Sequence, residues 1–386
     1  MPDGETTTVQ VAGSIHDVLA ADWDACAGSD NPFLSHAFFA ALEDSASACA
    51  KTGWLPRHLV IARADGRATG CAPLYLKSHS YGEYVFDWGW AEAFERAGGR
   101  YYPKMQAAVP FTPVTGRRLL TRPDAPAGTA EALVAAMVQL ARQVGISSLH
   151  VTFHTEAEAG LFTRLGFMPR IGQQYHWRNE GYGSFEDFLS KLSSRKRKTI
   201  RKERAEAMGH GVRIRALIGD EIEPRHWDAF YRFYLDTVER KWAHAYLSRE
   251  FFARLGATMG KKVFLIVAET DDGNPVGGAL NLIGRDALYG RYWGSAADYR
   301  FLHFEACYYR AIDFAIAHGL SRVEAGAQGA HKIQRGYLPV ATWSAHWIAE
   351  PGFRKAVARF LDAERPAVEA EIEALTAASP FRRDGR

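Results

Sequence analysis

Hydrophobic and polar positions in this chain follow two periods, and the same succession of periods occurs twice. In the second half K-V-F-L-I-V-A-E-T (262–270) is β-rich and closes on the turn signal D-D-G-N, after which V-G-G-A-L-N-L-I-G restarts a strand. That pattern predicts a hairpin. L-V-I-A-R-A (59–64), D-G-R and T-G-C-A-P-L-Y-L-K (69–77) predict its counterpart in the first half. A-L-Y-G-R-Y-W-G (287–294) predicts one more strand. Helical patterns then run over 303–318 up to Gly319 and over 130–144 up to Gly145, each glycine serving as a C-terminal cap. A strand (149–153 and 323–325), a short helix and a last strand ending His-Trp complete each series.

The two series end alike. Gly166, Phe167, Pro169, His176 and Trp177 correspond, at a constant offset, to Gly336, Tyr337, Pro339, His346 and Trp347. Two copies, each too long for a solenoid unit, read as two similar domains. The order β-β-β-α-β-α-β with mixed strand direction gives an α/β (α+β) class, each domain having a mixed, mostly antiparallel central sheet flanked by helices. The expected domains are 1–180, with an enlarged loop region 80–118, and 181–350, opening with a basic helix; 351–386 forms a C-terminal helix and tail. Because His176-Trp177 and His346-Trp347 recur at one fold position, they read as sheet-packing residues.

The copies differ in the middle. The first is longer there, and its surplus includes D-W-G-W-A-E-A-F-E-R-A-G-G-R-Y-Y-P-K-M (87–105) and V-P-F-T-P-V-T-G (109–116). Long loops inside compact domains are usually functional. Between the copies, Ser193 or Ser194 caps a helix expected from about Arg195 to Met208 and ended by Gly209. Arg195, Lys196, Arg197, Lys198, Arg201, Lys202 and Arg204 crowd its start. Cations there oppose the macrodipole unless an anion is present, so the helix is expected to bind phosphate or nucleic acid; a solvated connector is the alternative.

Composition adds limits. A net charge of +3 selects no partner class. Cys26, Cys49, Cys71 and Cys307 are far apart in sequence and form no C-x-x-C pair, which disfavours a zinc site or disulfide scaffold and fits a reducing compartment. The start, M-P-D-G-E-T-T-T, has no basic or apolar leader segment, and no apolar run approaches the roughly 18 residues of a membrane span. A cytoplasmic protein without bound metal is expected.

The split strand, long helix, strand, short helix and G-aromatic-x-P unit resembles the GCN5-related N-acetyltransferase fold. Two in tandem near S-S-R-K-R-K-T-I-R-K-E-R (193–204) resemble the Fem-type aminoacyltransferases, and more closely the Fem-like predicted N-acyltransferase group described as peptidoglycan biosynthesis or recognition proteins. The resemblance rests on D-W-G-W (87–90), Y-Y-P-K (101–104), P-F-T-P-V-T-G (110–116), Y-G-R-Y-W-G (289–294), L-H-F-E-A-C-Y-Y (302–309) and E-A-G-A-Q-G-A-H-K-I-Q-R-G-Y-L-P (324–339). It covers about residues 10–365. It implies acyl transfer to an amine, with acyl-CoA or aminoacyl-tRNA as co-substrate, no tightly bound cofactor, and a small-molecule or peptidoglycan-precursor amine as acceptor.

Acyltransferases of this fold wrap pyrophosphate at the start of the long helix with R/Q-x-x-G-x-G/A. Here that stretch is R-F-L-H-F-E (300–305), where a carboxylate repels pyrophosphate; R-P-D-A-P-A-G-T (122–129) in the first copy has the small residues instead. The tyrosine that often protonates a leaving thiolate is replaced by Phe162 and Lys332. Both departures leave room for an aminoacyl ester on tRNA. The expected centre is Glu324, Gln328, His331, Lys332 and Arg335. Glu324 or His331 would be the general base, Lys332 and Arg335 would hold an anion, and His331 and Arg335 would share a face if the short helix is regular. His303, Glu305, Arg291 and Trp293 form a second cluster for the acceptor amine, or a structural ion pair. From the first domain, Asp87, Trp88, Tyr102 and Lys104 are expected acceptor contacts. A non-catalytic module recognising a cell-wall precursor or nucleotide is the reading from a different class.

Overall fold

A computed structural model describes residues 8–209, 211–240 and 244–382. The polar residues 1–7 discussed above lie outside them. The chain divides into two compact units, Met1–Gly172 with Thr342–Glu369, and Gln173–Ala341 with Ala370–Arg386. Neither unit is one continuous stretch, so the division differs from cuts after 180 and 350. The cause is the repeated last strand. In Met168–Arg178 the His176–Arg178 end pairs with Arg322–Glu324, within the second unit. In Leu338–Ile348 the Trp343–Ile348 end pairs with Ser148–His154, within the first. Each copy thus gives the His-Trp end of its last strand to the other unit's sheet.

In the first unit the hairpin expected over 59–77 is cut at Pro73. Ala68–Ala72 joins a four-stranded sheet with Val9–Ala12, His58–Ala62 and Leu120–Thr121, whereas Leu74–Lys77 joins Trp54–Pro56 and Lys104–Ala107 in another. Proline lacks the N–H that would continue the ladder, so the strand ends there. Lys104–Ala107 runs parallel to Ser148–His154, and the long helix Thr129–Val144 ends at Gly145 with φ 69° as expected. Strand side chains alternate. Leu74, Met105, Ala107, Leu149, Val151 and Ala345 pack with Leu133, Val134, Met137 and Ala141 of that helix. The opposite face carries Tyr75, Lys77, Lys104, Gln106, His150, Thr152 and His346, which are also buried. One sheet therefore has an apolar buried face and a polar buried face.

The second unit's sheet runs Val212–Ile218, Val263–Thr270, Pro275–Ile283, Ala287–Ser295, Arg322–Glu324, then the end of Met168–Arg178. Among the described residues its one parallel pair is Ala287–Ser295 with Arg322–Glu324. A helical segment joins these two strands: Leu302–Phe304, a π turn at Glu305–Tyr309, then Arg310–Ala317, with Gly319 at φ 64° beyond it. Its apolar side meets Phe264, Ile266, Leu288 and Val323 in the core. The basic helix spans Ser194–Met208 and buries only Ile200, Glu203 and Ala207, a narrow stripe that leaves most of its cations outside. A helix, Pro351–Ala377, follows the last strand.

Candidate active site

Two polar clusters stand out, one in each unit. In the second unit the parallel ladder ends at Tyr289↔Glu324, while the first of its strands continues to Ser295. The strands part at Glu324. Gly290 sits opposite this point, where a Cβ would lie 3.3 Å from the Glu324 carbonyl oxygen. Glu324 is 4% exposed. Its Oε1 accepts from Arg322 at 2.9 Å, and Arg322 also pairs with Asp286 at 2.6 Å. Among the described residues the other carboxylate oxygen, Oε2, has no hydrogen-bond partner; it stands 3.7 Å from His176 Nε2. Burial holds the His176 imidazole below its usual range despite Glu324.

The rest of the expected centre is distributed differently. Ala330–Arg335 is a 3₁₀ helix, with Gly336 at φ 87° behind it. Its three-residue turn separates positions that an α-helix would align at i and i+4. His331 is exposed and Arg335 is buried, so they do not share a face. Arg335 donates to Glu203 at 2.7 Å and to the His331 carbonyl at 2.8 Å, and its guanidinium lies 3.4 Å from the Phe304 ring centroid. Lys332 is buried and donates to the carbonyls of Ala325 and Gly326, directly after Glu324. These two cations are engaged by partners within the chain, Arg335 by a carboxylate and Lys332 by carbonyls that brace the turn after Glu324. Neither stands as an open anion holder. His331 contacts the Tyr308 hydroxyl through Nε2 at 3.0 Å. Gln328 is exposed nearby in sequence, between Gly326 and Gly329, both with positive φ.

The second expected cluster is only half assembled. The His303 and Trp293 rings lie 5.4 Å apart and both are half-buried. Arg291 stacks over Tyr292 at 5.1 Å. Glu305 instead turns to the basic helix, accepting two 3.0 Å bonds from Arg204 and pairing with Arg310 at 2.9 Å. It occupies the π turn and is 1% exposed, in keeping with the structural ion pair.

On the basic helix, Arg195, Lys198, Arg201 and Lys202 are exposed, and Lys196 and Arg197 are half-buried. Arg201 pairs with Glu186 at 2.5 Å and Lys202 with Glu206 at 3.5 Å; both are surface pairs. Glu203 and Arg204 face inward, Glu203 accepting from Tyr309 and Arg335, and Arg204 reaching Glu305 and Asp313. Sequence reasoning counted Arg204 among the helix's crowded cations, and it missed Glu203 and the tyrosines. The acid at Glu203, in register with Ile200 and Ala207 amid cations, was the available signal.

The first unit brings two of its four expected residues into direct contact. Lys104, fully buried, donates to Asp87, to Glu83 at 2.7 Å and to Ser80 at 2.7 Å. Tyr101 donates to Asp87 at 2.6 Å. Tyr102 shares a 2.8 Å hydroxyl bond with Ser80, whereas Trp88 lies outside, 40% exposed and edge-on to Tyr81. Lys77 stands 3.9 Å from Glu83 and 3.7 Å above the Trp54 ring. His150 and His346 meet through their Nδ1 atoms at 2.8 Å. Burial pushes Glu83 up to about 7 and Lys77 down to about 7, while Lys104 and His150 overcome burial to hold Asp87 well below its usual range. Glu83, Lys77, Tyr101 and His150 were not anticipated. They fall on strands and turns whose partners are distant in sequence.

Burial also keeps His150 down to about 3 and His346 well below 6.5, the latter helped by His150. A histidine depressed in the folded state leaves the unfolded chain binding more protons below its ordinary pKa, so stability falls as pH drops below about 6.5. His346→Asn is expected to flatten the unfolding free energy between about pH 4 and 6 by up to about 1.4 kcal/mol per pH unit. Urea titrations across that range measure it; an unchanged slope contradicts the buried neutral histidine.

Among the described residues no group of three or more His, Cys, Asp or Glu side chains is arranged for a metal, and no helix is long and apolar enough to cross a membrane. No curated protein matches the chain. Among solved structures, FemX is 12% identical with a TM-score of 0.55, covering 88% of this chain and 98% of its own. The C-terminal domain (DUF2156) of a putative lysylphosphatidylglycerol synthetase from Agrobacterium fabrum is 9% identical with a TM-score of 0.56, covering 89% and 95%. L-PGS from Bacillus licheniformis is 10% identical with a TM-score of 0.51, covering 86% and 98%. These likenesses show a shared fold. The FemAB-like family, described as peptidoglycan biosynthesis/recognition, matches residues 14–383. The chain belongs to the FemAB-like family.

Proposed function

We propose that this protein is an N-acyltransferase that passes an activated acyl or aminoacyl group to the amine of a small-molecule or cell-wall-precursor acceptor. The observation that carries the reading is Glu324. It closes the second unit's parallel ladder where the strands part, and among the described residues one of its carboxylate oxygens makes no hydrogen bond. In the proposed reaction Glu324 takes a proton from the acceptor ammonium. The freed amine attacks the donor carbonyl, the tetrahedral oxyanion collapses as the carbonyl carbon's bond to the donor's oxygen or sulfur breaks, and the proton shed by the attacking nitrogen passes to that departing atom. Membership of the FemAB-like family supports a peptidoglycan-precursor acceptor.

The donor we favour is aminoacyl-tRNA. Its support is the exposed face of the basic helix, where Arg195, Lys198, Arg201 and Lys202 face outward and Lys196 and Arg197 are half-buried. The start of the second unit's long helix offers no cradle of small residues: Phe301 sits at its N-cap with φ 62°, followed by Leu302, His303 and Phe304. Acyl-CoA remains the second reading because the first unit's Thr129–Val144 helix is entered through Ala125, Ala127 and Gly128, the last at φ 86°.

Thermal shifts with acetyl-CoA, aminoacyl-tRNA and a UDP-linked muropeptide separate these readings. Stabilisation by acetyl-CoA alone overturns the tRNA donor. Binding without turnover, unaffected by His331→Ala, favours a recognition module. Replacing Arg195, Lys196, Arg197 and Lys198 together by Ala is expected to weaken tRNA binding and to lower the slope of log K against log salt by up to about 4. An unchanged slope removes the helix from the nucleic-acid contact.

A further inference from the structure

The π turn Glu305–Tyr309 places two consecutive tyrosines inside the second unit, Tyr308 against His331 and Tyr309 against Glu203. Such one-turn widenings are frequent at functional sites. The Tyr308 hydroxyl reaches the ring of His331 from another element. We propose that Tyr308 is a positioning residue that fixes His331 as the Nδ1–H tautomer, so that its neutral imidazole serves as a hydrogen-bond donor to a substrate oxygen and not as the general base.

The argument is one of hydrogen accounting. Tyr308 is 4% exposed, and among the described residues its hydroxyl has one partner, His331 Nε2 at 3.0 Å. A phenol carries one proton, and a buried hydroxyl proton without an acceptor costs about 1–3 kcal/mol. The Tyr308 proton therefore points to Nε2, which must be unprotonated. A neutral imidazole with a bare Nε2 carries its hydrogen on Nδ1. Burial pushes the Tyr308 hydroxyl pKa up, so its proton stays on oxygen. Burial, Arg335 and Lys332 hold the His331 imidazole below its usual range, so it stays neutral.

The ring is held in place on two sides. Gly329 has φ 94°, a backbone conformation that side chains rarely adopt, and a Cβ there would come within 2.4 Å of the His331 ring. Phe304 covers it with ring centroids 5.5 Å apart. Nδ1 has no hydrogen-bond partner among the described residues, so its N–H remains for a ligand atom that accepts: the carbonyl oxygen of the donor as it becomes an oxyanion, or the departing ribose oxygen. The identity of that oxygen rests on the proposed transferase reading; the tautomer does not.

Long-range ¹H–¹⁵N NMR of the ¹⁵N-histidine-labelled full chain, at about pH 8 where the ring is neutral, reads the tautomer directly, with the His331 signals assigned by their loss in His331→Gln. The expected spectrum shows protonated Nδ1 and bare Nε2 in the wild type. A shift toward the Nε2–H form is expected in Tyr308→Phe, which keeps the buried ring. Nε2–H in the wild type, or Nδ1–H persisting in a folded Tyr308→Phe protein, overturns the assignment; should that variant not fold, the wild-type spectrum alone decides. No donor or acceptor is present in this experiment. A failed transfer assay would therefore defeat the function proposed above without touching the tautomer, and a wrong tautomer would leave that function standing.

Discussion

Glu324→Gln is expected to lower the rate of acyl transfer by about 10²–10⁴-fold, the usual contribution of a positioned general base, with little change in donor affinity. The expectation follows from the asymmetric setting of the carboxylate. Oε1 is held at 2.9 Å by Arg322, which fixes the group's orientation, while Oε2 is left without a hydrogen bond among the described residues. An amide keeps the shape and an oxygen for Arg322 but cannot take a proton. Asp286→Asn loosens Arg322 from its other side, where the Asp286 side chain is 55% exposed. That variant should leave the rate near wild type, separating loss of the base from loss of the ion pair. A Glu324→Gln enzyme at full rate removes Glu324 from the chemistry.

The second large effect concerns stability. Lys104→Met is expected to destabilise the first unit by about 3–5 kcal/mol, because it leaves Asp87 and Glu83 buried without their shared cation. Lys104 has no exposed surface, and both carboxylates are 4% exposed or less. Removing the acids as well, in Lys104→Met with Glu83→Gln and Asp87→Asn, should recover much of the loss, since it is the uncompensated charge that is costly. Urea denaturation followed by tryptophan fluorescence measures both. Equal stability of Lys104→Met and wild type contradicts a tightly coupled network. The network ties the loop carrying Glu83 and Asp87 to the sheet while leaving Tyr81, Tyr84, Phe86 and Trp88 outside.

How far this arrangement was legible in the sequence depends on the range of the interactions. Helices Thr129–Val144 and Ser194–Met208 follow from local periodicity and terminal glycines, and they lie where those signals put them. The repeated Gly-aromatic-x-Pro…His-Trp ending showed two related strands. It could not show that each strand's end pairs in the other unit, because register between distant segments leaves no local trace. Trp177 and Trp347 are buried in sheet cores, while His346 also enters the polar face beside His150.

The candidate site was legible in kind more than in assignment. Glu324 stands at the end of the strand where the pattern put it. Lys332 and Arg335, chosen as anion holders for their charge, prove to brace the backbone and to pair with Glu203. Charge alone does not tell an open cation from one already partnered. His331 and Arg335 were paired by α-helical spacing, and a 3₁₀ turn dissolves that pairing. In the first unit, Asp87 and Lys104 were singled out from the long loops, and they meet; their companions Glu83, Lys77 and His150 lay within predicted loop and strand segments whose pattern did not mark these side chains individually.

The central claim is amide-forming transfer at Glu324, and single-turnover transfer tests it most directly. The full-length protein is mixed with radiolabelled aminoacyl-tRNA, or in parallel labelled acetyl-CoA, and a UDP-linked muropeptide bearing a free amine. The account predicts label in a base-stable amide product from one of these donors, and loss of that product in Glu324→Gln although the donor still binds. Product formed equally fast by Glu324→Gln, or binding of donor and acceptor with no amide from either donor, would contradict it.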